Sequence, residues 1–591
     1  MYGHMGRILV VNLTDSRITT LPVDPEVARR FMGGSGYASR LLYDLLDSKA
    51  DPLSAGNNLF FMTGPLTGTQ APCTGRHVIC GRSPLTGIWG ESHCGGHFGA
   101  RLKHSGFDGI LVRGRAERPT VLSVNNGRAE LLPAGHLWGL KTGEVEERLR
   151  RDLGPVQVAS IGPAGENLVR FASIVTNERV AARCGLGAVM GSKKLKAIAV
   201  QGSQRVPLAD PTTFTELARS SFKTLGEVMG LLRDSGTALY VEVGLMFNDM
   251  PIKYFEEVEF EADSISAKAM KRILTGRSAC YSCPIACGRR VTVPDQGLVD
   301  IAGPEYQTIA AFGSNLMIPD LNKIALMNWL CNQYGMDTVS CGSTIAFATH
   351  LCDIGLLGVG LSWGDADRVI QTIHMIASRE GAGDDLADGS RVLAARTGTE
   401  DLAIHVKGLE VPNHDPRAFA GMATVYAVAS RGATHLEGDM YSVDMGADVQ
   451  ELGIVSGDRL ENEGKGRTAA MSQEYRAFFD SMIMCHFAIV PLPTQIQLLN
   501  AALGTSLQTA DIQRIGSRAV NMKRMFNLRC GLTPADDRLP SALMRPQAED
   551  VTEGFVPDLG RQLKEYYEYR HWDYSTGKPS ADAIADLGVD S

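Results

Sequence analysis

The chain has 591 residues, of which 44% are hydrophobic and 21% charged, and its formal net charge at pH 7 is −8. This length predicts about three or four domains, and the composition is that of an ordinary globular enzyme. The negative charge argues against nonspecific nucleic-acid binding, and the lack of any run of about 18 apolar residues argues against a membrane span.

The first residues predict an intracellular protein. The start, MYGHMGRILVVNLTDSR, indicates an immediate β-strand rather than the charged and apolar regions of a signal peptide. The chain has 12 cysteines, an ordinary density, and in a reducing compartment such residues are more often thiols or metal ligands than disulfides. We therefore predict a cytoplasmic protein.

Strand-like runs followed by helical patterns predict an α+β fold. The strand-like runs are RILVVNL, NLFFMTG, GILVRG, PTVLSVNNG, VQVASIG and KAIAVQG. After Val206 the pattern changes, because Asp210 and Pro211 form a helix start and apolar residues then recur with a spacing near 3.6. Later helical patterns are DLNKIALMNWLCNQYG, ADRVIQTIHMIASREG and ADIQRIGSRAVNMKRMFNL. A β-rich N-terminal domain is thus predicted to precede two mainly helical domains.

Changes in composition give the predicted domain limits. We predict a β-rich domain at 1–207, a helical domain at 208–412 and a second helical domain at 413–591. The Pro- and Asp-rich stretch VPNHDPRAFAG, at 411–421, marks the second limit. The stretch LTPADDRLPSALMRPQAED, at 532–550, predicts an extended segment that crosses the surface rather than a disordered tail. We find no internal repeat of solenoid period and no low-complexity tract.

Glycine-rich loops in the first domain predict a large anionic ligand. They are GGSG (33–36), TGPLTGTQAPCTGR (63–76), GESHCGGHFGARLK (90–103), SIGPAGEN (160–167) and RCGLGAVMGSKK (183–194). Glycine lets the main chain approach a ligand closely, and Arg76, Arg183, Lys193 and Lys194 beside such loops suit phosphate groups. A single loop of this kind is usually a tight turn, and neither a P-loop nor a dinucleotide fingerprint is present. Several together favour an extended polyanion.

Three closely spaced cysteines predict a metal site in the second domain. The stretch SACYSCPIACGRR, at 278–290, contains Cys280, Cys283 and Cys287. A structural zinc site normally pairs two C-x2-C knuckles, whereas an iron–sulfur cluster combines such a loop with one distant cysteine. The spacing therefore favours a 4Fe–4S cluster over zinc or unliganded thiols. The candidates for the fourth ligand are Cys331, Cys341, Cys352, Cys485 and Cys530, and the spacing does not choose among them.

Cations without nearby acids surround this cysteine loop. The stretch 264–294 has no Asp or Glu and contains Lys268, Lys271, Arg272, Arg277, Arg289 and Arg290. One interpretation is a solvated helix face with a few anchoring side chains. The alternative is a docking surface for an acidic partner close to the cysteine site.

Two downstream residues are candidates for acid–base chemistry. Glu305 follows a proline in AGPEYQTIAAFG, and His435 follows a Gly-Ala-Thr turn in ASRGATHLEGD. An isolated Glu or His is more often a capping or core residue than a catalytic one. Sequence context alone therefore does not establish either as catalytic.

Taken together, these stretches resemble the aldehyde:ferredoxin oxidoreductase family of tungsten, sometimes molybdenum, enzymes. The matching stretches, in the same order, are GPLTGT, SPLTG, GGHFGARLK, GFDGI, ASIGPAGENLVRFASI, GLGAVMGSKKLKAIAV, CYSCPIACG, GPEYQ and YYEYRHWDYSTGKP. The likeness covers nearly the whole chain. It implies a β-rich first domain that cradles two pyranopterins chelating one metal, with two helical domains enclosing the site.

The resemblance implies a specific set of ligands. The fourth cluster ligand of the family ends a D-x-x-G-L-C stretch, which matches DSMIMC at 480–485, so Cys485 would join Cys280, Cys283 and Cys287. A companion D-x-x-G-L-D stretch matches NQYGMD at 332–337. The implied cofactor contacts are Arg76, His93, Gly95, Gly96, Arg183, Gly185, Gly187, Asn332, Asp337, Asp480 and Met484.

Several positions depart from the family pattern. Asn332 replaces an Asp and Ile483 replaces a Gly, so one pterin should be held differently, since Asn offers one neutral acceptor. His93 stands where an Asn carbonyl often helps to bind a Mg2+ that bridges the two cofactors, and a main-chain ligand would survive that change. Glu437 stands where a phosphate-binding Lys is common. An E-x-x-H subunit-bridging motif is replaced by Leu326 and Trp329, so a homodimer or hetero-oligomer would form without that metal.

The resemblance also implies a reaction. Glu305 and His435 match residues that flank the metal in aldehyde-oxidising members, a pairing that ring reductases on the same scaffold lack. Our hypothesis is that water adds to the carbonyl carbon of an aldehyde. Glu305 would lie in an apolar pocket that raises its pKa, and it would act as the general base toward the water. His435 would donate a hydrogen bond to the carbonyl oxygen. Electrons would pass through the cluster to a ferredoxin or ferredoxin-like subunit. The alternatives are a reductase of a carboxylic acid or activated aromatic ring, and a non-catalytic electron-transfer subunit.

Overall fold

Two six-stranded sheets organise the N-terminal part of the chain. The structure is a computed structural model that describes residues 1–548, 552 and 554–589. The first sheet contains β1 (Arg7–Asn12), β2 (Arg17–Pro22), β3 (Leu59–Met62), β4 (His77–Arg82), β5 (Trp89–Cys94) and β6 (Gly109–Arg113). The second contains β7 (Thr120–Asn125), β8 (Arg128–Pro133), β9 (Gln157–Ser160), β10 (Ile174–Thr176), β11 (Arg179–Ala181) and β12 (Leu195–Gln201). All six strand-like runs of the sequence are confirmed as strands.

The second sheet repeats the topology of the first. The strand order is β2-β1-β6-β3-β4-β5 in the first sheet and, from the other edge, β8-β7-β12-β9-β10-β11 in the second. One pair in each is parallel, β1 with β6 and β7 with β12, and all other neighbours are antiparallel. The sequence did not reveal this duplication, because it is one of strand order and direction rather than of residue periodicity.

Helices cover both sheets and bury their central strands. The helices of this part are α1 (Pro25–Phe31), α2 (Gly34–Asp44), α3 (Phe98–His104), α4 (Thr142–Leu153), α5 (Pro163–Glu166) and α6 (Leu186–Ser192). Every residue of β3 is buried, as expected for an apolar run with both faces covered. Phe60 and Met62 share one core with Tyr37 and Leu42 of α2, whereas Phe61 faces the larger core shared with the rest of the chain.

The middle part is mainly helical and holds the cysteine loop in a small sheet. Its helices are α7 (Pro211–Val228), α8 (Gly230–Ser235), α9 (Tyr240–Met246), α10 (Ala267–Ile273), α11 (Tyr306–Phe312), α12 (Leu321–Tyr334), α13 (Thr338–Asp353), α14 (Ala366–Ser378), α15 (Ala382–Leu386) and α16 (Ser390–Thr397). Its strands are β13 (Leu274–Ser278), β14 (Gly288–Val293), β15 (Leu298–Ala302), β16 (His405–Val406) and β17 (Leu409–Glu410). The cysteine trio lies in the connection between the antiparallel strands β13 and β14. The hairpin therefore fixes both ends of the predicted metal-binding loop.

The last part is a bundle that packs back onto the first sheet. Its helices are α17 (Gly421–Val428), α18 (Met440–Asp444), α19 (Lys465–Met482), α20 (Leu492–Leu503), α21 (Thr509–Arg529), α22 (Leu559–Arg570) and α23 (Ala581–Leu587). Helix α19 lies against α21, α22 and α2. The α+β class with a β-rich first part is confirmed, and the exact domain limits stay a prediction. Within the described ranges, no helix combines the length and apolar character needed to cross a bilayer.

A buried ion cluster fastens the segment that follows α21. The Asp537 carboxylate lies 2.8 Å from Arg524 Nη1 and 2.8 Å from Lys407 Nζ, and it accepts a hydrogen bond of 2.6 Å from Tyr567 Oη. Burial raises the pKa of Asp537, but Lys407 and Arg524 outweigh burial and hold the pKa below its ordinary value. The predicted crossing segment is thus ordered through residue 548, and its last two residues, 549 and 550, lie outside the described part of the chain.

Asp537→Asn is expected to destabilise the protein by about 3–5 kcal/mol, because it leaves two buried cations without their counter-charge. The midpoint of urea unfolding should fall accordingly. Since the pKa of Asp537 is lowered on folding, its contribution is present above about pH 4 and is lost as the pH falls below that value. Glu227→Gln, in an exposed pair with Lys223, is the control and should change stability by less than about 1 kcal/mol. Equal midpoints for the two variants would contradict the prediction.

Candidate functional site

Five cysteine side chains approach one another where three segments meet. The β13–β14 loop carries the trio, the loop after α19 carries Cys485, and the loop before β4 carries Cys73. The Cys73 thiol donates a hydrogen bond to Cys283 Sγ at 3.7 Å, which lowers the pKa of Cys283 to about 6. Burial raises the pKa of Cys485, Arg76 opposes this, and the neighbouring thiolates of the trio raise it further. The predicted fourth ligand therefore lies beside the trio.

The other candidates for the fourth ligand lie on helices, Cys331 on α12, Cys341 and Cys352 on α13, and Cys530 at the C-terminal end of α21. Cys331 and Cys341 contact each other inside the helical core, and burial together with that contact raises the pKa of Cys331. Cys530 ends α21, beside Arg82 and Arg529. Four thiols from two remote segments have the number and chemistry that a 4Fe–4S cluster requires. The residues present thus fit such a group, although their role as ligands stays a prediction.

Main-chain hydrogen bonds lock the loop before β4 against both cysteine segments. Cys73 N donates to Ser282 O at 2.7 Å, and Cys485 N donates to Cys73 O at 3.1 Å. On the other side, Tyr281 N donates to Gly96 O at 3.0 Å. A Cβ atom on Gly95 would lie only 2.9 Å from Cys280 Sγ, so a side chain at this position would displace that sulfur.

Two of the four predicted phosphate-binding cations lie beside other predicted site residues. Arg76 lies near the cysteine group, and although burial lowers its pKa, the thiolates of Cys485 and Cys280 raise the pKa overall. Half-buried Arg183 donates from Nη2 to Glu410 O at 2.6 Å, while its buried Nη1 atom has no hydrogen-bond partner among the described residues. A buried donor without a partner is available to an anionic ligand.

The expectation for the other two cations is wrong. Lys193 Nζ donates to Gly114 O at 3.0 Å, and Lys194 Nζ donates to Glu117 O at 2.6 Å. Both side chains therefore hold neighbouring main chain. Similarly, a Cβ atom on Gly185 would collide with Arg170 O, and one on Gly187 would collide with Ser173 O, so protein packing alone requires glycine at these two positions.

The two predicted pterin-binding segments occupy equivalent places on the duplicated sheets. We call residues 332–337 segment A and residues 480–485 segment B. A Cβ on Gly162, two residues after β9, would collide with Tyr334 O of segment A. A Cβ on Gly64, two residues after β3, would collide with Met482 O of segment B. Each segment thus contacts its own sheet through its third residue.

The acids of these segments have different partners. Asp337 in segment A caps α13 and lies 3.5 Å from Arg183 Nε. Asp480 in segment B accepts a hydrogen bond from His486 Nε2 at 3.1 Å. Asn332 and Met484 are buried in segments A and B, respectively.

Ile483 in segment B lies at a strained position. Its φ of 61° is in the left-handed region, which disfavours β-branched side chains, whereas Gly335 takes the same region without cost at the equivalent position of segment A. The side chain of Ile483 packs with Phe60 and Val78 in the core of the first sheet, and this burial offsets strain.

An acid–histidine network lies beside segment B. Glu91, His93 and Asp480 bring one possible metal-ligand atom each within 4.8 Å of one another. Glu91 already lies 2.5 Å from Lys523 Nζ and accepts a hydrogen bond of 2.8 Å from Trp89 Nε1. These partners make the group a satisfied polar network, and the expected Mg2+ contact of the His93 main chain stays a prediction.

The predicted catalytic carboxylate lies in polar surroundings. Glu305 precedes α11, its side chain is 41% exposed, and Oε1 lies 3.3 Å from Arg179 Nη1. Oε2 accepts a hydrogen bond of 2.5 Å from Thr237 Oγ1. The expectation of an apolar pocket is therefore wrong, because Arg179 from β11 and Thr237 both bind the carboxylate.

The predicted catalytic histidine is partly buried, and its Nδ1 atom is shielded from solvent. Burial, followed by the cationic influence of His414 and Arg183, holds the pKa of His435 well below its ordinary value. Its Nδ1 has no hydrogen-bond partner in the described part of the chain. A neutral imidazole still donates one N–H, which is the form that the predicted role requires.

Sequence reasoning missed a histidine–aspartate pair next to His435. The ring centroids of His414 and His435 are 5.0 Å apart, and His414 Nδ1 lies 2.5 Å from Asp249 Oδ2. Tyr240 Oη donates to the same oxygen at 3.0 Å. The signal was visible in NHDP, which we interpreted only as a domain limit. Arg179 and Cys73 were also missed, and their isolated positions gave no such signal.

Two cations of the acid-free stretch serve as anchors. Arg289 is 3% exposed and donates to the main-chain oxygens of Arg233 and Asp234. Arg290 pairs with Glu178 and Asp300. The exposed cations of the stretch are Lys268, Lys271, Arg272 and Arg277. A docking surface here would be smaller than the sequence implied.

Comparisons with known proteins agree with this arrangement. Family models described as the N-terminal domain and as domains 2 and 3 of aldehyde ferredoxin oxidoreductase match residues 8–202 and 213–589. A tungsten-containing aldehyde ferredoxin oxidoreductase of Pyrococcus furiosus is 38% identical, with 100% of this chain and 99% of that protein covered. The WOR-like subunit of an aliphatic sulfonate oxidoreductase from the same organism is 30% identical, with 100% and 97% covered. The solved BamBC active-site complex of benzoyl coenzyme A reductase with 1,5-dienoyl-CoA matches with a TM-score of 0.85 at 25% identity, covering 99% of this chain and 97% of that one.

Proposed function

The chain belongs to the aldehyde ferredoxin oxidoreductase family, and we propose that it oxidises an aldehyde to a carboxylic acid with a tungsten or molybdenum bis-pyranopterin. The main support for this proposal is that Cys485 lies beside the cysteine trio. These residues are far apart in the sequence, so their proximity is not a consequence of local chain geometry. The name of the P. furiosus relative supports tungsten as the metal.

We assign holding roles to the residues around the site. Arg76, Arg183 and the loops at His93, Gly95 and Gly96 would hold the phosphates and a bridging Mg2+. Segments A and B would contact the pterin rings, and Cys280, Cys283, Cys287 and Cys485 would hold one 4Fe–4S cluster. When bound, a tungsten or molybdenum pterin would supply a two-electron acceptor at this site, and a 4Fe–4S cluster would supply one-electron transfer. Glu437, which replaces the phosphate-binding Lys, is instead satisfied by Ser430 and Arg431.

Protein side chains would accept the proton of the attacking water and stabilise the negative charge that develops on the carbonyl oxygen. Overall, an aldehyde and a water give a carboxylic acid, two electrons and two protons. Glu305 takes a proton from the water as it adds to the carbonyl carbon, while Thr237 and Arg179 fix the direction of the carboxylate. His435 donates its N–H to the carbonyl oxygen, where negative charge develops.

The exposed cations near the cysteine loop are suited to an acidic electron carrier. The cluster cysteines are partly exposed, and Lys268, Lys271 and Arg272 lie exposed on the same chain stretch. We propose a ferredoxin or a ferredoxin-like subunit as the acceptor. A cytoplasmic location is supported by the 12 cysteines, none of which forms a disulfide.

A ring or acid reductase is the second candidate function. It is favoured by the likeness to the benzoyl coenzyme A reductase complex. The Glu305–His435 pair favours aldehyde chemistry, because water addition needs a base and a donor at the carbonyl oxygen.

The test combines metal analysis with two activity assays. We expect about one tungsten or molybdenum and about four irons per chain, and aldehyde-dependent reduction of a viologen dye. The reverse assay supplies reduced viologen with a carboxylic acid or an aromatic coenzyme A thioester. Dye oxidation by the thioester without any aldehyde activity would replace the proposed function with ring reduction. Iron without tungsten or molybdenum would indicate a non-catalytic electron-transfer subunit.

A further inference from the structure

One thiol at the cysteine group has no place in the proposed ligand set. The trio and Cys485 supply all four ligands that a 4Fe–4S cluster needs, so Cys73 is not required as a ligand. Cys73 is 2% exposed, and its Sγ lies 3.7 Å from Cys283 Sγ with Cys73 as the donor. It is therefore a buried S–H group directed at one ligand sulfur.

The position of Cys73 is fixed by hydrogen bonds to the loop that carries the trio and to the loop that carries Cys485. Its N–H is bound to Ser282 O, next to Cys283, and its carbonyl accepts from Cys485 N. Its φ of 61° is unusual for a residue with a Cβ, and it persists here because the two flanking segments hold the main chain on either side. The hydrogen bond to Cys283 is thus built into the junction of the two cysteine segments.

A donor at a ligand sulfur has a defined electrostatic effect. Reduction adds negative charge to a cluster and its thiolates, and a hydrogen bond to a ligand sulfur stabilises that added charge. Such a bond therefore makes the reduction potential more positive than it would be without the donor. The effect needs no change in iron content or in ligand number.

We propose that Cys73 is a positioning and tuning residue, whose S–H group donates to Cys283 and raises the reduction potential of the cluster. The inference rests on the proposed function for the presence of the cluster. It assigns Cys73 a role apart from ligation, and it predicts that electron transfer out of the active site depends on this fifth thiol.

The test is a redox titration of the purified, cluster-loaded enzyme followed by the EPR signal of the reduced cluster. Cys73→Ala should shift the midpoint potential to a more negative value while iron per chain stays at the wild-type level. Cys73→Ser keeps a donor and should restore the potential to the wild-type value or a more positive one. Cys80→Ala, which removes a buried thiol of β4, is the matched control for lost volume and should leave the potential unchanged.

The outcomes separate this inference from the proposed function. An unchanged potential in iron-replete Cys73→Ala would overturn the tuning role and leave the function standing. Loss of iron in Cys73→Ala together with full iron in Cys485→Ala would make Cys73 a ligand and overturn the tuning role as well. Wild-type enzyme without iron would overturn the proposed function itself, and aldehyde inactivity with a normal cluster would overturn the reaction but not the shift in potential.

Discussion

Cys485→Ala is expected to abolish the four-iron cluster and, with it, electron transfer to ferredoxin. Three thiolates leave one iron without a protein ligand, so the variant should contain fewer irons and lose the EPR signal of the reduced 4Fe–4S form. Even loss of a residue that only supports a ligand costs about 10–100-fold in metal affinity, so loss of a ligand should reduce ferredoxin-linked turnover by about 100-fold or more. Iron analysis, EPR and ferredoxin reduction measure these effects.

The local fold should survive this substitution. The main-chain bond from residue 485 to Cys73 O does not involve the side chain, so alanine preserves the junction. Cys530→Ala is the matched control, since it also removes a half-buried thiol from the last part of the chain but ends α21, away from the trio. Iron content equal to that of the control would remove Cys485 from the ligand set.

Glu305→Gln is expected to reduce kcat by about 10²- to 10⁴-fold, the usual contribution of a general base. Glutamine can still accept the hydrogen bond from Thr237 but cannot take a proton from water or neutralise Arg179. The measurement is dye reduction at saturating aldehyde, using samples with matched tungsten or molybdenum and iron. Because the cysteine group does not include Glu305, cluster content should not change.

Glu259→Gln serves as the control for that experiment, since Glu259 is an exposed glutamate of the same part of the chain. It should retain wild-type kcat. If Glu305→Gln turned over aldehyde as fast as this control, the proton would have to leave through another group, and the pair of His414 and Asp249 would be the next candidate.

The parts of the fold that the sequence predicted are those with strong local patterns. Runs such as NLFFMTG became buried strands, and the segment that starts at Asp210 became α7 because the Asp210 carboxylate accepts from Thr213 N at the helix start. The strand β2 was missed because it is mostly exposed and polar, so it lacks the alternation that marks a half-buried strand.

The site was predictable only where family resemblance supplied long-range information. Spacing could not select Cys485, which is separated from the trio by about two hundred residues and is brought to it by the packing of α19 onto the first part of the chain. The surroundings of Glu305 were wrongly expected because Arg179 lies 126 residues before it in the chain. Contacts of this kind depend on tertiary packing, which local composition does not encode.

The repeated six-strand topology gives the two halves of the first part equivalent loop ends, one contacting segment A and the other segment B. The two halves differ in the segments that contact these loops. The left-handed position is Gly335 in segment A and Ile483 in segment B. Such an arrangement allows a division of labour. Segment B, which carries Cys485, would serve the proposed cluster, whereas segment A, whose Asp337 lies 3.5 Å from Arg183 Nε, would serve the proposed phosphate site.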